Sequence, residues 1–118
     1  MVGLSHVALA VADPARALNF YRDVIGVEGH VRTEEYGFVI ETSNGVAFTL
    51  FRGQPPADVG EFHLGVALAD GRAVRDARRH FRSVGLVEHS WRVEPGLTSV
   101  KVADPDGYVV EVFAENEA

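Results

Sequence analysis

Two histidines and one glutamate stand out because each sits in an apolar, strand-like run. His6 opens His6-Val7-Ala8-Leu9-Ala10-Val11, His63 opens His63-Leu64-Gly65-Val66-Ala67-Leu68, and Glu111 interrupts Tyr108-Val109-Val110-Glu111-Val112-Phe113. Side chains alternate along a strand. His6 therefore shares a face with Ala8 and Ala10, His63 with Gly65 and Ala67, and Glu111 with Val109 and Phe113. Both imidazoles are followed by small residues that leave room on their face. A carboxylate among apolar neighbours needs its charge compensated, and a metal ion does this. Two neutral imidazoles and one carboxylate form a facial ligand set with coordination positions left for water, oxygen or substrate. Cysteine is absent, which excludes disulfides and thiolate sites and leaves His, carboxylate, carbonyl or water as ligands. Of the other histidines, His80 falls on a charged helical segment as a surface residue, while the sequence does not place His30 or His89.

The elements that carry these residues are written twice. His6 to Asp13 matches His63 to Asp70, and Asn44 to Phe51 matches Asp106 to Phe113, in the same order. Each copy reads as strand, helix, then three strands. In the first, the strand Leu4 to Val11 leads to Asp13 as N-cap and Pro14 at the first helical position, and Gly26 ends the helix. Strands follow near Glu28 to Thr33, Tyr36 to Thr42 and Val46 to Phe51, the last two joined by Ser43-Asn44-Gly45. In the second copy the strand is Phe62 to Leu68 and the helix follows Asp70. Strands then lie near Val87 to Val93, Thr98 to Ala103 and Tyr108 to Phe113, with Asp104-Pro105-Asp106-Gly107 as the final turn. The expected class is α+β: two βαβββ modules forming a cupped, incomplete barrel. The chain reads as one domain over 1–118, with module one at about 1–53, a Pro55-Pro56-containing linker at about 54–60 and module two at about 61–118.

At 118 residues, 47% of them hydrophobic, the chain has the composition of a globular domain. It carries 17 acidic and 11 basic side chains, and its net charge of −6 disfavours a nucleic-acid partner. No apolar run reaches membrane-spanning length and no signal segment opens the chain, so a soluble, cytoplasmic protein without a membrane partner is expected. Ten of the basic residues are arginines, and Lys101 is the single lysine.

His6 to Val11, Asn19-Phe20-Tyr21-Arg22-Asp23-Val24-Ile25-Gly26, Phe62 to Val66 and Asp104 to Glu111 together resemble the vicinal oxygen chelate superfamily. This group includes glyoxalase I, extradiol dioxygenases, fosfomycin-resistance transferases, methylmalonyl-CoA epimerase and bleomycin-binding proteins. The resemblance spans essentially the whole chain and is specific for the superfamily rather than for one reaction. It implies His6, His63 and Glu111 as ligands of a divalent Fe, Mn, Ni or Zn ion. Glyoxalase I-like members have a fourth ligand, a Glu, where this chain has Thr49. The three-ligand set is similar to that of the extradiol and fosfomycin-resistance enzymes, which carry a Tyr where this chain has Lys101.

Lys101 shares its strand phase with Ser99, and both are expected on the face of Glu111. Beside a dication and apolar walls, Lys101 is a candidate proton donor or acceptor, or a counter-charge for an anionic substrate. Ser99 is placed with it as a candidate catalytic residue. Phe38, Thr49, Phe51 and Trp91 are candidate substrate-binding residues, the aromatic ones as walls for a planar molecule. The leading expectation is a metal-dependent enzyme, extradiol-dioxygenase-like or lyase- or isomerase-like. Its small substrate would chelate the metal through vicinal oxygens. The alternative is a protein that binds and sequesters an aromatic natural product or antibiotic without catalysis. The stiff linker and the resemblance to single-module members favour a homodimer, with metal sites shared between chains.

Overall fold

The computed structural model describes residues 2–115 and divides the chain into two compact units, the first ending at Ala57 and the second beginning at Asp58. Each unit is a βαβββ module built on a four-stranded mixed sheet, and neither sheet closes into a barrel. Among the described residues, no helix is long and apolar enough to cross a membrane.

In the first unit β1 (His6–Val11), β2 (Gly29–Glu34), β3 (Gly37–Thr42) and β4 (Ala47–Arg52) lie in the order β1-β4-β3-β2. β1 runs parallel to β4, and β3 antiparallel to both β4 and β2. The Asp13 side chain accepts hydrogen bonds from the backbone N–H groups of Ala15 and Arg16, and Pro14 opens α1 (Pro14–Asn19). The expected single helix instead widens after Asn19 into a π-helical stretch, Phe20–Ile25. Its last turn closes with the N–H groups of Gly26 and Val27 on the Tyr21 carbonyl, at 3.1 and 2.8 Å. The wider turn lets Phe20, Tyr21 and Ile25 all be buried, with the Tyr21 ring edge-on to Phe48 at 4.8 Å. Gly26, with φ at 92°, ends the segment in the left-handed region.

The second unit repeats the plan with β5 (His63–Ala67), β6 (Glu88–Glu94), β7 (Leu97–Ala103) and β8 (Val109–Ala114) in the order β5-β8-β7-β6. α2 (Gly71–Ser83) starts at Asp70, whose carboxylate accepts from Ala73 N–H at 2.9 Å. The core packs Val100, Val102, Val110 and Val112 of the sheet with Val74 and Phe81 of the helix, all nearly inaccessible. Asp104 is buried in the β7–β8 turn and accepts from the N–H groups of Asp106 and Tyr108 at 2.8 and 2.9 Å.

β6 carries the irregularity that matters most. From the turn outwards Glu94, Val93, Arg92, Trp91 and Ser90 pair in regular register with Leu97 to Lys101, but Glu88 then pairs with Val102. His89 is the extra residue of a β-bulge, so His89 and Ser90 together oppose Lys101 and the side-chain phase shifts by one. Trp91 is in register with Val100, on the helix side of the sheet, and the bulge brings Glu88 to that side as well. The Arg78 guanidinium lies over its ring, 4.3 Å from the centroid, and binds Glu88 through two hydrogen bonds of 2.7 and 3.1 Å.

The hydrogen bonds from Arg78 hold the Glu88 carboxyl below its ordinary value of 4.5. The folded state therefore binds this proton less readily than the unfolded chain. Its contribution is present above the ordinary carboxylate range and is lost as pH falls through and below it. Urea unfolding of Glu88→Gln across that range is expected to show a smaller loss of stability on acidification than wild type. Glycine substitution offers a second test of the packing. A Cβ at Gly37, where φ is 150°, would lie 2.0 Å from the Leu50 carbonyl oxygen, whereas one at Gly45 meets no atom within 4 Å. Gly37→Ala should lower the unfolding free energy by about 3 kcal/mol or more, and Gly45→Ala by only about 1 kcal/mol, measured by the same titration.

Candidate metal centre

β8 lies between β5 and β7, and this places the candidate residues of the second unit around Glu111. Glu111 is in register with Gly65 on β5 and with Lys101 on β7, while its neighbours Val109 and Phe113 are in register with His63 and Ser99. His63, Ser99, Lys101 and Glu111 thus share one face of the sheet, opposite the face that packs on α2. Gly65 admits the Phe113 ring close to the backbone, since a Cβ there would come within 3.2 Å of it.

The Glu111 carboxylate is engaged at both oxygens. Ser99, fully buried, donates its hydroxyl to Oε2 at 2.5 Å, and His63 Nε2 lies 3.3 Å from Oε1. His63 Nδ1 lies 3.0 Å from the Glu61 carbonyl oxygen. A carbonyl only accepts, so this contact assigns the proton to Nδ1. In the neutral imidazole the Nε2 lone pair then faces a carboxylate oxygen. Two electron-rich atoms this close need a cation or a proton between them. Nitrogen and oxygen donors that share one metal at about 2.1 Å lie roughly 3.0–3.4 Å apart, and the observed separation falls in that span. The donor pair and its spacing therefore fit a divalent metal.

The first unit places His6 in register with Ala47, Ala8 with Thr49 and Ala10 with Phe51, so His6, Thr49 and Phe51 share one sheet face. His6 Nδ1 lies 2.7 Å from Ser5 Oγ, and with the proton on Nδ1 its Nε2 is available as a ligand. Among the described residues, neither unit by itself gathers three His, Asp or Glu side chains into a metal-binding group. The second unit brings together His63 and Glu111, and His6 stands in the first.

Two expected wall residues face elsewhere. Phe38 is in register with Leu50, on the core side of its sheet and not on the side of Thr49 and Phe51. Trp91 lies under the arginines of α2 because the register of the β6–β7 hairpin sets it opposite Val100, on the helix side. The bulge adds His89 to the face that Ser90 already shares with Lys101, and both line a pocket with His63 and Lys101. Counting outwards from the Pro95-Gly96 turn would have placed Ser90 opposite Lys101, but nothing in the sequence marks where the bulge begins. His30 lies on β2 opposite Glu41, which itself pairs with Ala47, and so shares the His6 face.

Comparison with known proteins agrees with this architecture. The family model described as the Glyoxalase/Bleomycin resistance protein/Dioxygenase superfamily matches residues 3–112, and the chain belongs to that superfamily. No curated protein matches it. A possible glyoxalase from Bacillus cereus superposes with a TM-score of 0.80 at 22% identity, covering 95% of this chain and 98% of the other. The fosfomycin resistance protein FosX of Listeria monocytogenes, solved with Mn(II) and 1S,2S-dihydroxypropylphosphonic acid, gives 0.83 at 17% identity, covering 98% and 92%. TnmS3, an antibiotic-binding protein from Streptomyces sp. CB03234, gives 0.74 at 16% identity over 98% of each chain. At these identities the likeness is one of fold.

The Ser99–Glu111 bond yields a direct test. Ser99→Ala leaves a half-buried carboxylate oxygen without its donor, and the unfolding free energy of metal-free protein should fall by about 1–3 kcal/mol in a urea titration.

Proposed function

We propose that the chain is a subunit of a cytoplasmic, homodimeric, metal-dependent enzyme whose small substrate presents two vicinal oxygens. The metal is held by His63 and Glu111 of one chain and the partner subunit's His6. The observation that carries this reading is the His63–Glu111 pair, an imidazole Nε2 and a carboxylate oxygen 3.3 Å apart with Nδ1 turned to the Glu61 carbonyl. The Mn(II) in the FosX structure supports a divalent ion on this fold.

When bound, such an ion supplies Lewis acidity to a chelating pair of substrate oxygens. The chain's own residues do the rest. Ser99 fixes the Glu111 carboxylate, and the Glu61 carbonyl holds the His63 ring in its ligand tautomer. Lys101, opposite Glu111 across the β7–β8 pair, holds or moves a proton at Nζ. Thr49, where a fourth carboxylate would stand, leaves β4 without a charged group on the His6 face.

The test is metal analysis of protein purified without chelators. Stoichiometric Fe, Mn, Ni or Zn is expected in wild type, and less than about a tenth of it in His6→Ala, His63→Ala or Glu111→Ala. Wild-type metal content in any of the three variants would remove that residue from the site. Absence of metal together with tight binding of an aromatic ligand would favour sequestration over catalysis. A shared site also predicts complementation. Mixed His6→Ala and Glu111→Ala subunits, shown to exchange, should regain one intact site per heterodimer. If exchange occurs and no site returns, each chain builds its own.

A further inference from the structure

Next to His63 in the second unit is a pocket of about 240 Å³. Phe62 and Val109 form its apolar side; His63, His89, Ser90 and Lys101 form its polar side. Ser90 Oγ is shielded from solvent and meets no hydrogen-bond partner among the described residues. A hydroxyl in that state is costly unless a ligand supplies the missing partner. Lys101 stands opposite Ser90, is half-buried, and forms no ion pair among the described residues. Its cross-strand neighbour Glu111 is instead engaged by Ser99 and His63. The bulge adds the His89 imidazole to the same pocket.

An ammonium, an unsatisfied hydroxyl and an imidazole N–H share one complement, an anionic oxygen group. Glu61 also borders the pocket and opposes an anion there, but it is exposed and screened by solvent, whereas Lys101 and Ser90 are shielded. We infer that Lys101, Ser90 and His89 form a subsite for the anionic end of the substrate, a carboxylate or a phosphate-type group. Phe62 and Val109 accommodate its carbon skeleton. That the ligand is a substrate rests on the metal-enzyme reading above; the anion site itself does not.

The test uses the full-length chain after chelator treatment, so that no anion binds through a metal. Sodium acetate and inorganic phosphate are titrated separately at constant ionic strength against chloride. The backbone amide signals of residues 89, 90 and 101 are followed by NMR. Saturable shifts are expected for at least one anion. Binding should weaken about tenfold or more in both Ser90→Ala and Lys101→Met, the loss of one charge-assisted contact, and remain unchanged in Arg79→Gln on the far side of α2. Saturation by acetate alone identifies a carboxylate ligand, by phosphate alone a phosphate-type group, and by both a general oxyanion site. No saturable shift with either anion, or wild-type affinity in both pocket variants, overturns the inference. A wild-type protein that binds metal but neither anion refutes only this subsite; one that binds anions but no metal refutes only the metal reading.

Discussion

Glu111 is a carboxylate on an inner strand of a four-stranded sheet, and the organisation of the second unit follows from compensating its charge. Val110 and Val112 must face α2 to complete the core, so alternation forces Glu111 to the other face. β8 has a strand on each side, and both neighbours contribute: β5 brings His63 in parallel, and β7 brings Ser99 in antiparallel. The contacts of Asp104 with the β7–β8 turn fix which residue of β7 lies opposite the carboxylate. A slip of one residue there would turn Ser99 and Lys101 into the apolar core.

The bulge in β6 solves a different problem. Without it, one strand would have to bury Glu88 and Trp91 on the same side of the sheet while these residues have opposite parity. With His89 as the extra residue, both reach α2, where Arg78 contacts the Trp91 ring and the Glu88 carboxylate together. The interrupted ladder is offset by this packing, and His89 and Ser90 are left on the face of Lys101. A residue placed for the core thus decides what the opposite face presents.

The first unit shares the topology but is charged differently. Thr49 takes the place that Glu111 holds in the second copy, so β4 brings no carboxylate to that face; the inner-strand carboxylate there is Glu41 on β3. Its face carries Arg32, which bridges Glu34 and Glu41. At the repeated positions an imidazole stands in both copies, His6 and His63, and a carboxylate in only one, Glu111. Solved proteins of this fold include glyoxalase-type, fosfomycin-resistance and antibiotic-binding members, so the fold by itself does not name the chemistry.

The sequence by itself determined the elements and the two-fold repetition. Alternating valines, Asp13 and Asp70 before the helices, and glycines at the turns are local signals that act within a few residues. It also determined that His63, Ser99, Lys101 and Glu111 share a face, because alternation within regular strands and the register set by a short hairpin are nearly local. Only the tertiary structure decided the widening of the first helix, which depends on burying Tyr21 against Phe48 from a distant strand. It also decided the sides taken by Phe38, Glu88 and His89. A bulge costs little locally and is selected by what the helix above can pack, so the phase of β6 beyond Ser90 is settled by contacts far apart in the chain.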